Sequence, residues 1–563
     1  MLTTIIEQAR ARLGIADTVP LDCYDSVLDL FDEAVRRYAD RPAFSSVGRT
    51  LTFRELDLYS RRFAAFLQQR PELQPGDRVA IQLPNLVQYP VVLFGVLRAG
   101  LVAVNTNPLY SAAEMEHQLN DAGAKALIVL ANVARTAAEV LPKTGVRLTI
   151  VTEIADLHPP LKRVLMNFAV RYLKRMVPAF HIPGAIGLND ALHAGASANL
   201  RPVQPKPQDL AILQYTGGTT GVAKGAMLSH RNLIANTLQG AAMFTTYGVE
   251  AGRETFILPL PLYHIYSFIL SMIMFTSGNH CVLVPNPRDL KSLIAEMRRN
   301  PFTGFCGLNT LFVALCRNSD FAKLDFSRLK VTLSGGMALT SGAAQEWKRL
   351  TGSVVYEGYG LTECSPVVSV NPGNDNQPGT IGIAVPMTEV RILDEDDRDL
   401  ELEQPGELCV RGPQVMLGYW QRDDETRKVL DGEGWLRTGD IAVVRPDGFI
   451  RIVDRKKDLI VVSGFKVFPG EVEDVVSRHP DVAECAAVGI KDEHSGEVVK
   501  VFVVLRRPGL TEQALRDFCH QYLTGYKVPK FVEFRRDLPK SNVGKVLRRQ
   551  LRDEAEAKTA QSA

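Results

Sequence analysis

Leu210-Ala-Ile-Leu-Gln-Tyr215-Thr-Gly-Gly-Thr-Thr-Gly-Val-Ala-Lys-Gly225 joins an apolar run to a loop made almost entirely of glycine, threonine and one lysine. The run Leu210-Ala-Ile-Leu predicts a buried strand. Behind it, glycines let the backbone approach phosphate oxygens, and their amides form an anion-binding nest. The hydroxyls of Thr216, Thr219 and Thr220 and the Lys224 ammonium add further donors. The Walker loop of P-loop nucleotidases is excluded. It needs lysine and serine or threonine directly after its last glycine, whereas Lys224 stands three residues after Gly221. An ordinary surface loop has no reason to concentrate these residue types behind a strand.

Outward from this segment, the chain between about residues 24 and 323 alternates short apolar runs with helical patterns. Residues 77–83, 124–130 and 147–152 read as strands and residues 89–97 as a buried helix. Such alternation predicts parallel sheets with crossover helices. After about Gly379 the texture changes. Val390-Arg-Ile-Leu and Gly406-Glu-Leu-Cys-Val-Arg-Gly read as one hairpin. Asp440-Ile-Ala-Val-Val and Phe449-Ile-Arg-Ile-Val read as another, turning at Asp447-Gly448. A last block, with helices at 471–478 and 511–523 and strands at 482–490 and 498–506, is long enough for a small α+β domain. The charged string Asp454-Arg-Lys-Lys-Asp458 marks the boundary, predicting a large domain over 1–456 and a small one over 457–563.

Composition narrows the function classes. The 563 residues are 46% hydrophobic and 23% charged, which excludes disorder for most of the chain. Lys+Arg number 65 against 63 Asp+Glu, so no nucleic-acid partner is expected. The eight cysteines show no metal-finger or C-x-x-C spacing and read as reduced, mostly buried thiols of a cytoplasmic protein. The first ten residues meet charge too early for a signal peptide. The most apolar stretch, 265–275, is far short of the about 20 residues a membrane span requires. Residues 161–176 combine Lys162, Arg163, Arg171, Lys174 and Arg175 with apolar residues at helical spacing and contain no acid. A basic amphipathic helix can lie on the inner membrane face. The sequence alone favours a plainer arrangement, with the apolar side packed on the core and the basic side solvated.

The glycine-rich loop resembles the phosphate-binding signature of the AMP-forming adenylating enzymes: acyl-CoA synthetases, peptide-synthetase adenylation domains and luciferases. Four more segments resemble that family's motifs in the same order. These are Tyr356-Glu-Gly-Tyr-Gly-Leu-Thr-Glu363, Trp435-Leu-Arg-Thr-Gly-Asp440, Asp454-Arg-Lys-Lys-Asp458 and Pro539-Lys-Ser-Asn-Val-Gly-Lys545. Within the family the likeness is greatest to bacterial long-chain fatty-acid–CoA ligases. It is carried by Pro261-Leu-Tyr-His-Ile265, Asn286-Pro-Arg-Asp289, Gly412-Pro-Gln-Val-Met-Leu-Gly-Tyr-Trp420, residues 434–473 and Leu523-Thr-Gly-Tyr-Lys-Val-Pro-Lys530. The resemblance implies an α/β fold: a large N-terminal domain of β-sheets layered with helices plus a β-barrel-like subdomain, and a small mobile α+β C-terminal domain.

The same resemblance implies an enzyme that activates a fatty acid with ATP and passes the acyl group to coenzyme A, with AMP and pyrophosphate released. Other carboxylic acids, shorter chains or a non-CoA acceptor remain alternatives. It implies that Tyr215, Thr216, Gly217, Gly218, Thr219, Thr220, Gly221 and Lys224 cradle the phosphates, and that Gly335 and Gly336 wall the adenylate. Glu357, Gly358, Tyr359, Gly360 and Thr362 would flank adenine. Thr216 and Glu363 would hold Mg²⁺, whose preference is for hard oxygens. Asp440 would take the ribose hydroxyls, Arg455 would contact the nucleotide and Lys457 would be the hinge. Lys545 would bridge carboxylate and α-phosphate, and His264 would lie near the acyl carboxylate. Phe268 reads as core packing, although some relatives place an aromatic gate there. Ser463, Gly464 and Phe465 would serve the second half-reaction. Relatives often pair through the large domain, so a homodimer is a further implied arrangement. No G-x-S-x-G is present to support a serine hydrolase. The intact Thr216, Lys224, Glu363, Asp440, Arg455 and Lys545 argue against a silent binding protein.

Overall fold

The computed structural model describes residues 2–216, 223–492, 494–540 and 546–562, with side chains as far as residue 557. Two large sheets carry the first two-thirds of the chain. One has seven strands, in the order Ile186–Gly187, Leu148–Thr152, Ala126–Leu130, Arg78–Gln82, Val102–Asn105, Leu210–Tyr215, Gly225–Ser229. All its pairings are parallel except the last, where Leu210–Tyr215 and Gly225–Ser229 run antiparallel around the glycine-rich loop. The other sheet has nine strands. Its centre is the parallel set Val355–Gly360, Val331–Ser334, Gly304–Gly307, Thr255–Leu258 and His280–Leu283.

The helices obey the pattern that the sequence suggests. Gln88–Arg98 is apolar nearly all round and buried along its whole length, as a helix enclosed by the core must be. Phe275 of the Ile265–Thr276 helix stacks on Phe53 at 4.6 Å and on Phe31 at 5.2 Å, knitting three helices together. Helix starts are fixed by reciprocal capping. Thr52 with Glu55, Ser111 with Glu114 and Ser229 with Asn232 each satisfy otherwise orphaned amides.

The region expected to be barrel-like is, in detail, an antiparallel meander of Glu389–Leu393, Gly406–Arg411, Leu436–Val444 and Ile450–Arg455. After the turn Lys456–Asp458, a five-stranded sheet with a separate apolar core begins at Ile460.

One expectation fails. Residues 161–176 do not lay their apolar side on the core. The segment is an α-helix over Pro160–Phe168 continued by a π-helical turn over Ala169–Leu173, and none of its residues is buried. The spacing identified the amphipathic helix correctly but carries no information on which side faces the protein. All eight cysteines are unpaired, and Cys281, Cys306, Cys364, Cys409 and Cys519 are buried. Among the described residues no helix is long and apolar enough to cross a membrane.

Candidate active site

The glycine-rich loop leaves the seven-stranded sheet at Tyr215 and rejoins it at Gly225, two residues paired across the hairpin. Its base is pinned by the Thr216 amide, which donates to the Lys224 carbonyl at 2.9 Å. Gly217, Gly218, Thr219, Thr220 and Gly221 lie outside the described residues, as does Lys545. A cavity of about 910 Å³ opens beside Thr216 and Lys224. The polar part of its wall comprises Thr216, Lys224, Glu363, Asp440, Arg455 and Lys457. Gly335 and Gly336 follow the strand Val331–Ser334 and line it as bare backbone, Gly336 at φ +80° where a side chain would be strained. Gly358, Tyr359 and Gly360, on the next strand, continue that wall, with Tyr215 and Thr362 also on the lining. The apolar part lies along the helices His230–Phe244 and Ile265–Thr276, where Gly240, Met243, Phe244, Ile269 and Ile273 face the space. His264, the N-cap of the second helix, is on the same wall.

The polar groups are tied to one another. Lys224 pairs with Glu425 and its ammonium lies 5.0 Å from the centre of the Tyr419 ring. The Tyr419 hydroxyl donates to Glu363 at 2.7 Å, leaving the other carboxylate oxygen of Glu363 uncommitted to that bond. Burial and the adjacent Glu363 push the Tyr419 phenol far up, so it stays a donor at any physiological pH. Asp440 is only 4% exposed. It accepts from the Tyr359 hydroxyl at 2.5 Å and pairs with Arg455 at 3.3 Å. Burial and the neighbouring Arg455 depress the Lys457 ammonium below its ordinary value. Two buried hydroxyls on the cavity wall, Tyr266 Oη and Ser334 Oγ, have no hydrogen-bond partner among the described residues. Buried polar atoms left this way suit a site whose polar ligand completes them.

Not every expected residue meets here. The Glu357 carboxylate accepts from the amides of Leu339 at 3.1 Å and Gly379 at 3.4 Å and is not on the cavity wall. Its task is to hold two backbone segments, and burial raises its carboxyl. Ser463, Gly464 and Phe465 are also off the wall. Ser463 and Gly464, at φ +51° and +83°, form the tight turn between Ile460–Val462 and Phe465–Val467, and Phe465 stacks on Tyr526 at 4.9 Å. Phe268 is buried in the core as expected and does not line the cavity. Tyr419, Glu425, Tyr266 and Thr438 were missed by sequence reasoning and all face the space. Tyr419 sits inside Gly412-Pro-Gln-Val-Met-Leu-Gly-Tyr-Trp420, a segment that drew notice for its likeness alone. Thr438 likewise sits inside the quoted Trp435-Leu-Arg-Thr-Gly-Asp440, where only Asp440 was singled out. Glu425 and Tyr266 carry no local signal.

A magnesium ion fits this donor set. Mg²⁺ takes one or two protein oxygens beside substrate phosphates and water, and the Thr216 hydroxyl and Glu363 carboxylate share the cavity. Among the described residues no cluster of three or more His, Cys, Asp or Glu offers an all-protein metal cage.

Comparison with known proteins identifies the family. The profile described as AMP-binding enzyme matches residues 31–420, and that described as AMP-binding enzyme C-terminal domain matches residues 471–545. The chain is 54% identical over 541 residues to the long-chain-fatty-acid–CoA ligase of Escherichia coli O157:H7, covering 95% of this chain and 96% of that one. It is 48% identical over 538 residues to the enzyme of the same name from Haemophilus influenzae, with the same coverage of 95% and 96%. Among solved structures it resembles the anthranilate CoA ligase AuaEII in complex with anthranoyl-AMP. The TM-score is 0.83 at 25% identity, over 95% of this chain and 98% of that one. ATP-bound MatB from Rhodopseudomonas palustris gives a TM-score of 0.77 at 27% identity, over 94% and 99%.

Proposed function

The chain belongs to the AMP-binding enzyme family, and from that premise we infer that it is a long-chain fatty-acid–CoA ligase, an AMP-forming acid–thiol ligase. The observation that carries the reading is one cavity whose wall is charged and hydroxylic on one part and aliphatic on another. Such a space suits a carboxylate with a long apolar tail laid against a nucleoside triphosphate.

The chemistry explains why these residue types are needed. A carboxylate and ATP are both anions, so attack on the α-phosphate requires charge neutralisation and alignment opposite the departing pyrophosphate. Lys224 and the loop amides neutralise the phosphates. Asp440 accepts the ribose hydroxyls, and Tyr359 presents its ring to adenine. Mg²⁺, held by Thr216 and Glu363, supplies further charge neutralisation on the phosphates when bound. His264 lies at the junction with the apolar part, where the carboxylate must sit. Lys545 bridges carboxylate and α-phosphate during the first step, forming the acyl-adenylate. The units divide at Lys457, and rotation there withdraws Lys545 and brings the turn Ser463-Gly464-Phe465 towards the site. The thiol of coenzyme A then attacks the acyl carbonyl, and AMP leaves. The position of that turn away from the cavity is compatible with a protein resting before the second step. An apolar substrate further favours a peripheral position on the inner membrane face.

Mass spectrometry of products from purified protein, Mg-ATP and fatty acids from octanoate to oleate, with and without coenzyme A, tests the reading. Acyl-CoA and AMP together, formed only with coenzyme A, are expected. Acyl-adenylate without thioester would require another acceptor. No AMP from any fatty acid would overturn the substrate class.

A further inference from the structure

The helix that begins at Pro160 is inverted relative to an ordinary surface helix. Its polar side is the one bound to the protein. Asn167 accepts from the Ala155 amide at 3.0 Å and donates to Asp156 at 3.1 Å; Arg171 pairs with Glu153; Lys162 donates to the Gly48 carbonyl at 3.1 Å. The opposite stripe, Leu161, Val164, Leu165 and Phe168, repeats at helical spacing and points to solvent, with Leu161 75% and Phe168 54% exposed. The wider π-turn over Ala169–Leu173 then shifts the phase, so that both Tyr172 and Leu173 prolong the stripe, and Leu173 is 72% exposed. Tyr172 leans on Phe168, their rings 5.0 Å apart.

This is the largest run of exposed large hydrophobics among the described residues, and folding has spent its polar contacts on holding it outward. Water is the least favourable neighbour for it. The charge around it identifies the occupant. Lys162, Arg163, Lys174 and Arg175 stand in the same segment as the stripe, and no acid occurs between residues 160 and 176. An exposed apolar strip on a segment whose own charges are all cationic matches the boundary between acyl chains and anionic headgroups. A second copy of the same basic segment would bring like charges together.

We propose that the 160–176 segment is a membrane-docking surface that inserts Leu161, Leu165, Phe168 and Leu173 into the headgroup boundary of a bilayer rich in anionic phospholipid. The proposal rests on the peripheral position inferred above and assigns it to these residues. The docked helix would lie parallel to the membrane plane, held to the enzyme through Asn167 and Arg171.

Vesicle co-sedimentation with phosphatidylglycerol–phosphatidylcholine and with phosphatidylcholine alone tests it. The full chain is expected to bind the anionic vesicles at least tenfold more tightly. Replacing Leu161, Leu165, Phe168 and Leu173 by Gln, which keeps the helix propensity, should weaken that binding at least tenfold. Octanoate activation in free solution should remain unchanged, which reports that the variant is folded. Separately, Phe168→Trp should shift its emission to the blue on adding anionic vesicles. If the wild-type chain binds neither vesicle, the peripheral position itself is wrong. If wild type binds and the Gln variant binds equally, only the assignment to this helix is wrong. If the substitutions dissociate a dimer and leave vesicle binding intact, the surface belongs to a second copy and the proposal falls.

Discussion

At the scale of single residues, Asp440 carries the clearest load. A carboxylate only 4% exposed is expensive to keep unless each oxygen has a partner, and here Tyr359 and Arg455 supply them. Hydrogen bonds to a charged group contribute about 1.5–3 kcal/mol, so Asp440→Asn should raise KM for ATP roughly tenfold to hundredfold, at about 1.4 kcal/mol per decade. The split between KM and kcat is the readout. A collapse of kcat with KM unmoved would assign Asp440 to holding the wall rather than the ribose. A different residue makes a pH prediction. His230 is buried, and burial lowers its pKa from 6.5 to about 4. The neutral ring accepts the Val27 amide at Nδ1 at 3.2 Å, a bond that protonation at that nitrogen abolishes. Because the folded value lies below the unfolded one, the contribution is intact above pH 6.5 and is lost as pH falls towards 4. At pH 5 the loss is about 2 kcal/mol. Urea midpoints at pH 7 and pH 5 should show it, and His230→Gln should flatten the dependence. An equal slope in the variant would exclude His230 as its source.

The paired helices His230–Phe244 and Ile265–Thr276 bring out what the sequence could and could not reveal. Ile265–Thr276 was visible as the most apolar stretch of the chain, whereas His230–Phe244, which mixes polar with apolar residues, was not singled out. The strands were legible because buried parallel strands are continuous β-branched runs. The meander hairpins were legible from their turns. What could not be read was orientation: Glu357 and Tyr359 belong to one motif, yet only Tyr359 faces the cavity. Likewise Tyr419 reaches Glu363 across 56 residues of sequence, a proximity that only tertiary folding creates. Gly240 is the same kind of case. It reads as an unremarked helix glycine, but a Cβ there would lie 2.3 Å from Ile273 Cδ1, at a point where both residues line the cavity. Since the obstacle is the far end of a flexible side chain, Gly240→Ala should fold with Ile273 displaced into the acyl space. Activity on oleate, measured as kcat/KM, should fall at least tenfold relative to octanoate. The added Ile273→Ala substitution should restore long-chain activity by vacating that space. If the single substitution lowers both substrates equally, the helix pair is not the chain-length stop.

At the scale of the whole molecule, the proposed cycle requires one cavity to change partners. The last strand of the meander, Ile450–Arg455, contributes Arg455 to the wall, and the turn that follows, Lys456–Asp458, contributes Lys457 before the C-terminal sheet begins. Polar contacts secure the sides of this joint. Lys456 pairs with Glu407 at 2.9 Å on the meander, and Arg548 pairs with Asp458 at 3.3 Å and Glu473 at 2.6 Å within the C-terminal part. Other contacts span the joint: the Gly470 amide donates to Asp454 at 2.6 Å, Arg548 reaches Asp454 at 3.9 Å and Lys466 pairs with Glu395 at 2.5 Å. The proposed rotation about Lys457 therefore changes its backbone torsions and breaks these bonds. Lys457→Pro fixes φ near −65° and removes one amide. It should leave one half-reaction near wild-type rate and slow the other at least a hundredfold. Lys545→Ala offers the complementary test, because it removes the charge without touching the joint. Adenylate formation from fatty acid and ATP should be abolished, while thioester formation from supplied acyl-adenylate and coenzyme A persists. The two variants together separate motion from chemistry. Should Lys545→Ala depress both half-reactions equally, its lysine is structural. Should Lys457→Pro leave both rates intact, the turn at 456–458 is not where the enzyme pivots.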